Sequence, residues 1–118
     1  MSVYTDVIAM LKDKLTVPVF SDYVPETQTT GAVALQEVSP DQADRILDGS
    51  KHGHTDVFRV TIVSERTSVV ESIIDELEAL DNTQYGQFSK IYGQKILMEP
   101  KNAQQPVRRA WYDLTLYR

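Results

Sequence analysis

Residues 56–80 read DVFRVTIVSERTSVVESIIDELEAL, and this stretch predicts a β-strand that runs into an α-helix with no Gly or Pro between them. Alternation along the strand places three large apolar side chains on one face: Phe58, Val60 and Ile62. Apolar residues then recur at helical spacing, and Ser68 with Glu71 predicts a capping box at the start of the helix. The predicted buried stripe of this helix consists of Val70, Ile73, Ile74, Leu77 and Leu80. The stretch carries no chemical motif, so it predicts a fold without a function.

The flanking segments predict one more helix and further strands around this unit. The helix covers residues 4–15 and ends before Pro18, because the residue before a proline is disfavoured in the helical region. The additional strands cover residues 17–20, 31–38, 89–99 and 107–117. A long polar excursion at about residues 39–55 separates the second strand from the third. We therefore expect a single α+β domain over residues 1–118, with a mostly antiparallel sheet of about 4–5 strands and two helices packed on one face.

The composition is that of an ordinary globular domain, with 118 residues of which 42% are hydrophobic and 25% are charged. No apolar run approaches the ~20 residues that cross a bilayer, and the N-terminus shows no basic region followed by an apolar one. We therefore expect neither a membrane span nor a secretory signal. The chain contains no cysteine, which excludes disulfides and Cys-ligated zinc and fits synthesis in a cytoplasm.

Charge is distributed unevenly along the chain. Residues 1–83 carry 15 acidic and 6 basic side chains, whereas residues 84–118 carry 2 acidic and 6 basic ones. The resulting balances of −9 and +4 add up to the net charge of −5. Two interpretations stay open: copies of the chain attract one another head to tail, or the basic part folds onto the acidic helix of its own subunit. The acidic pI argues against nucleic acid as the main ligand.

The segment of residues 52–56 is the one place where the sequence suggests a metal site. In an extended chain, His52, His54 and Asp56 lie on one side, as a site of two histidines and one carboxylate requires. A solvent-exposed loop is the favoured interpretation, because nearby glycines indicate turns and no fourth ligand is evident. The sequence contains no Gly-x-Ser-x-Gly elbow and no glycine-rich phosphate cradle. We expect no enzymatic activity, no catalytic residues and no cofactor.

The final predicted strand has one face that suits neither a core nor a plain solvated surface. Its apolar face consists of Ala110, Tyr112, Leu114 and Leu116. The opposite face consists of Arg109, Trp111, Asp113, Thr115 and Tyr117. Trp, Tyr and Arg dominate the hot spots of protein–protein interfaces, so this second face predicts a subunit interface. Two alternatives stay open: the loop of residues 41–54 or a helix covers this face within the monomer, or the face lines a pore or is an exposed sheet face. We expect Arg59 to pair with Asp113, across the sheet or between subunits.

The order of the elements supplies a functional hypothesis. A short N-terminal helix is followed by the strand Val17-Pro18-Val19-Phe20, a long loop, and the hydrophobic strand of residues 57–63, which leads into a helix. A strand rich in aromatics, residues 111–117, closes the pattern. In this order and in its residue types the chain resembles, over nearly its whole length, the tail-terminator (tail-completion) proteins of long-tailed bacteriophages. The resemblance is one of pattern, without an invariant signature motif.

The resemblance implies a structural virion protein that forms a hexameric ring at the head-proximal end of the tail tube. Such a ring ends tube polymerisation and presents a surface to the head-completion or connector protein, while DNA passes through it without specific binding. It also implies synthesis in the host bacterial cytoplasm, no membrane partner and no cofactor. The candidate subunit-interface residues are Arg59, Arg109, Trp111, Asp113 and Tyr117. The candidate contacts to the tail tube protein, all in the long loop, are Asp41, Asp44, Arg45, Lys51, His52 and His54.

Other functions remain open at the level of sequence. Another phage neck, connector or tail component would also form rings without a cofactor. A small α+β module that binds a peptide or protein belongs to a different class and predicts a monomer or dimer. A small metal-dependent enzyme built on His52, His54 and Asp56 predicts one bound metal ion per chain and loss of activity when either histidine is replaced.

Overall fold

The computed structural model describes residues 3–25, 28, 30–38, 55–100 and 107–117. Two helices and six strands follow one another in these residues. They are α1 (Val3–Lys14), β1 (Val19–Ser21), β2 (Ala32–Val38), β3 (Thr55–Ser64), α2 (Thr67–Glu78), β4 (Thr83–Tyr85), β5 (Phe88–Met98) and β6 (Arg108–Tyr117). The predicted α+β class is confirmed, and the described sheet has one or two strands more than expected. The predicted long loop lies, apart from Thr55, outside the described residues.

The six strands form one sheet in the order β1-β2-β3-β6-β5-β4. All neighbouring strands are antiparallel except β1 and β2, which run parallel. The longest ladder joins β3 to β6, from Thr55 opposite Tyr117 to Ser64 opposite Arg108. The last strand in sequence is therefore a central strand in space.

The hydrophobic core lies between the two helices and one face of the sheet. Phe58, Val60 and Ile62 of β3 are fully buried, as their alternation predicts. The apolar residues of β6 that share their face are also buried: Ala110, Tyr112, Leu114 and Leu116. The helices contribute Val7, Met10, Leu11, Val70, Ile73, Ile74 and Leu77. Full burial of one such large apolar side chain contributes roughly 1.5–3 kcal/mol, so this layer holds the fold together.

The junction between β3 and α2 forms differently from the predicted capping box. The helix begins at Thr67, and its N-cap is Arg66, which is in an extended conformation and makes no side-chain cap hydrogen bond. Ser68 is therefore the second residue of the helix and does not occupy the N-cap position. The predicted capping box of Ser68 and Glu71 is wrong. The hydroxyl of buried Ser64, at the end of β3, accepts a hydrogen bond from the Arg66 N–H at 3.1 Å.

A short hairpin between β4 and β5 was not predicted from the sequence. Tyr85 pairs with Phe88, and the two residues between them form the turn, with Gly86 at φ +53°. This left-handed conformation favours glycine in a two-residue hairpin. The hairpin packs onto α1: the Tyr85 hydroxyl donates to Asp13 at 2.9 Å, and the Gln87 amide donates to Asp6.

Candidate functional site

Both described helices pack on one face of the sheet, and the other face is the candidate site. We call it the open face; it consists of Val57, Arg59 and Thr61 of β3, Arg109, Trp111, Asp113, Thr115 and Tyr117 of β6, and Tyr92, Gln94 and Leu97 of β5. Strand register places these side chains in rows, because paired residues in antiparallel strands point to the same face. One row contains Leu97, Trp111 and Thr61, and the next contains Gln94, Asp113 and Arg59.

An ion pair occupies the centre of the open face. The Arg59 Nε donates to the Asp113 Oδ1 at 2.8 Å, and a second guanidinium nitrogen donates to the other carboxylate oxygen at 3.1 Å. The hydrogen bond to the Asp113 carboxylate raises the pKa of Arg59 above its ordinary value. The prediction that Arg59 pairs with Asp113 is confirmed, and the pair forms across the sheet within one chain.

Aromatic and aliphatic side chains surround this pair. The Tyr92 and Tyr117 rings meet edge to face, with centroids 5.5 Å apart and an interplanar angle of 87°. Tyr92 is 45% exposed, Tyr117 is 41% exposed and Leu97 is 54% exposed. Trp111 is half-buried between Thr61 and Leu97 in its row. The open face thus combines large apolar groups with an arginine that already has its counter-ion, a composition typical of interface hot spots.

The structure brings all five candidate subunit-interface residues onto one surface. Four of them are alternate residues of β6, and the fifth, Arg59, lies directly opposite Asp113. Their role in a subunit interface stays a prediction. The candidate tail-tube contacts all lie outside the described residues: Asp41, Asp44, Arg45, Lys51, His52 and His54.

The proposed metal cluster is only partly visible. Of its three residues the structure describes Asp56, which lies in β3 opposite Leu116 and therefore on the side of the sheet that carries the helices. Among the described residues, no group of three or more His, Asp or Glu side chains could hold a metal ion. Within the same residues no helix is both long and apolar enough to cross a membrane.

A cavity of about 250 Å³ opens on the helix side of the sheet, lined by Glu78, Asp81, Gly93, Lys95 and Tyr112. Burial, followed by the negative charges of the two acidic residues, raises the pKa of Tyr112 to about 12. The phenol therefore keeps its proton at neutral pH. The phenol and the two carboxylates give the cavity hydrogen-bonding groups. The described residues that line it do not include a nucleophile paired with a general base.

Gly93 is the residue that makes room for Tyr112 in this cavity. A Cβ at this position would lie 2.6–2.8 Å from two carbon atoms of the Tyr112 ring and closer still to its hydroxyl. The Gly93 N–H donates to the Asp81 carboxylate at 2.8 Å, which joins β5 to the end of α2. Sequence reasoning missed this arrangement, although a glycine in the middle of a strand is the available signal of a close approach.

Comparison with known proteins leaves the chain without an assigned relative. No protein-family model matches it, and neither a curated protein nor a solved structure matches it at a significant level.

Proposed function

We propose that this chain is a structural virion protein that caps the head-proximal end of a phage tail tube. It ends tube polymerisation as a hexameric ring and offers the surface to which the head-completion protein joins. The proposal extends the resemblance in element order, and the single observation that supports it most is the open face. A sheet with both described helices on one side, and with Trp, Tyr and Arg on the other, suits a subunit that completes its burial in an assembly.

The ion pair makes the open face suitable for burial. An unpaired arginine would have to be desolvated when a neighbour covers it, at a cost of several kcal/mol. Arg59 and Asp113 already satisfy each other through two hydrogen bonds. A neighbouring subunit or the end of the tube can therefore cover the aromatic groups around this pair without supplying a counter-ion.

Charge supports a channel through which DNA moves without binding. The chain has a net charge of −5, and α2 carries exposed acidic side chains at Glu71, Asp75 and Glu78. Acidic groups repel the DNA backbone and disfavour specific binding. In this function the partners are other copies of the chain, the tail tube protein and the head connector. It needs no cofactor and no catalytic residue.

The first test combines the mass of the protein with the length of the tubes. Light scattering on a sizing column is expected to show a discrete species at about six times 13.4 kDa, reached as the concentration rises. Added to a polymerising phage tail tube protein, the protein is expected to shorten the tubes in proportion to its amount. Trp111→Glu should lose this effect, whereas Lys12→Gln, an exposed change on α1, should keep it.

Two results would contradict the proposal. Tubes of unchanged length at every ratio would exclude a capping role. A strict monomer that leaves tube growth unchanged and captures a peptide or protein through Trp111 would instead favour the α+β binding module, because the same open face suits such a ligand.

A further inference from the structure

The cavity on the helix side of the sheet lies between the end of α2 and the outer part of β5. Its volume is about 250 Å³, and its lining residues are Glu78, Asp81, Gly93, Lys95 and Tyr112. Glu78 is the last residue of α2, and Asp81 follows shortly after it. Lys95 lies directly opposite Tyr112 in the pairing of β5 with β6. The hydrogen bond from the Gly93 N–H to the Asp81 carboxylate holds the two sides of the cavity together.

Tyr112 indicates that this cavity receives a polar group. The residue is 1% exposed, yet its hydroxyl forms no hydrogen bond with any residue that the structure describes. The ring lies across Gly93, where the missing Cβ leaves it space, and its hydroxyl lines the cavity. Buried polar groups in folded proteins are normally paired, so an unpaired buried hydroxyl calls for an explanation. A ligand with a polar atom in the cavity would pair it.

Two carboxylates provide further unpaired acceptors in the cavity. Among the described residues, the Glu78 carboxylate has no hydrogen-bond or ion-pair partner, so both of its oxygens are available. Asp81 uses its Oδ1 to accept from the Gly93 N–H at 2.8 Å, which leaves Oδ2 available. The charges of both carboxylates contribute to the raised pKa of Tyr112, so both lie near its hydroxyl. Three carboxylate oxygens and one phenol oxygen are thus available to N–H donors.

The cavity keeps a negative charge when every charged group that lines it is counted. Glu78 and Asp81 carry two negative charges, and Lys95 carries one positive charge. Lys95 is exposed and forms no ion pair within the described part of the chain, so neither carboxylate is neutralised by direct contact. The last turn of α2 contains no basic residue, and the negative end of the helix dipole therefore adds to the two carboxylates. A ligand with one positive charge would balance the site.

We infer that this cavity binds a guanidinium group. The planar fork of its N–H donors matches the two available oxygens of Glu78, and its other donors match Asp81 Oδ2 and the Tyr112 hydroxyl oxygen. An ammonium group has only three donors and would satisfy these acceptors less completely. The guanidinium belongs to a free alkylguanidine or to an arginine side chain of a partner, since both present the same cation. The site lies away from the open face, so this inference goes beyond the proposed capping function and does not depend on it.

Titration with butylguanidinium tests the inference, with the amide NMR signal of Gly93 and calorimetry as readouts. Because the Gly93 N–H donates to Asp81, its signal should shift as the cation enters the cavity. Butylurea, a neutral molecule of nearly the same shape, should bind at least about tenfold more weakly. N-acetylarginine amide separates the two sources of the cation. Binding as tight as that of butylguanidinium would identify an arginine side chain, and at least about tenfold weaker binding would identify a free alkylguanidine.

Four variants locate the cation in the cavity. Glu78→Gln should weaken butylguanidinium binding about tenfold, whereas Glu71→Gln, the same change at an exposed position of α2 outside the cavity, should leave it unchanged. Lys95→Gln removes a like charge and should tighten binding about threefold. Tyr112→Phe removes one acceptor and should weaken binding about threefold. The first three changes replace exposed side chains, so these chains should fold with unchanged circular dichroism.

Three results would overturn the inference. A Gly93 signal that does not move, or butylurea that binds as tightly as butylguanidinium, would exclude a cation site. Equal weakening by Glu71→Gln and Glu78→Gln would mean that the acidic helix as a whole attracts the cation. Weaker binding in Lys95→Gln would mean that the lysine holds the ligand, which requires an anionic group on it. None of these results bears on tube capping, because all four variants leave the open face unchanged.

Discussion

The two faces of the β3–β6 ladder lie in the same strands and differ in almost everything else. On the helix side, Phe58 is fully buried, and the centroid of its ring lies 6.0 Å from that of the Tyr4 ring. One residue later, on the open face, Arg59 keeps 39% of its side chain exposed and bonds to Asp113. The helix side is determined by the need to exclude water, and many sequences meet that need. The open face has a specific combination of aromatic and charged groups that the fold itself does not require, so it is the face that reports on function.

The largest effect is expected when a buried aromatic ring is removed from the helix side of the sheet. Phe58→Ala should lower the free energy of unfolding by about 3–5 kcal/mol, because it loses the transfer energy of the ring and leaves a cavity. Thr61→Ala, in the same strand on the open face, should change it by less than about 1 kcal/mol. Urea unfolding, monitored by circular dichroism, measures the unfolding free energy of both variants. Equal losses would contradict the assignment of the core to one face.

A smaller loss of stability is expected at the close contact between Gly93 and the Tyr112 ring on the helix side. Gly93→Ala should cost about 1–3 kcal/mol, because the new methyl group overlaps the Tyr112 ring and the neighbouring backbone must shift. Adding Tyr112→Phe removes the nearest atom, the hydroxyl oxygen, and should recover part of the loss. Urea unfolding of the single and the double variant measures both changes. An unchanged free energy of unfolding in Gly93→Ala would show that the Tyr112 ring moves aside freely.

Tyr112 also gives the helix side a dependence on alkaline pH. Its pKa is raised to about 12 in the folded protein, against an ordinary value of about 10. The stabilisation from the protonated phenol is therefore full below about pH 10 and is lost as pH rises through about 12. Unfolding free energies between these values should fall less steeply for Tyr112→Phe than for the wild type. Identical slopes would exclude a perturbed phenol.

The smallest effect is expected on the open face itself. A double-mutant cycle of Arg59→Ala and Asp113→Ala should give a coupling of about 0.2–1 kcal/mol, because both groups are partly solvated. Raising the salt concentration should reduce this coupling. A coupling of several kcal/mol in the isolated monomer would mean that the pair is a structural centre and that the two faces differ less than described.

Sequence periodicity was sufficient to predict the long helices and strands and one feature of the candidate site. Alternation in β3 and β6 assigned each side chain to its face and so put Arg59 and Asp113 on the same face; the strand register then places the two directly opposite each other. Helical spacing likewise gave the buried stripe of α2. These features depend on local pattern repeated over ten or more residues, where the burial signal is strongest.

The missed features depend on short segments or on distant contacts. β4 has three residues, too few for a period to show, and its pairing depends on the turn at Gly86. The predicted capping box failed because α2 begins at Thr67, right after the turn that follows Ser64. The cavity brings Gly93 beside Tyr112 through strand register, which no local spacing encodes.

The central position of β6 has a consequence for how the protein is made. β6 joins β3 on one side and β5 on the other, and all its partners precede it in the chain. During synthesis the ribosome must therefore release residues 108–117 before the two halves of the sheet can meet. Until then β3 and β5 each expose an unpaired edge, and contacts of high sequence separation form slowly. The sheet therefore closes only after residues 108–117 have been synthesised, and truncation before β6 should yield a chain that aggregates or is degraded.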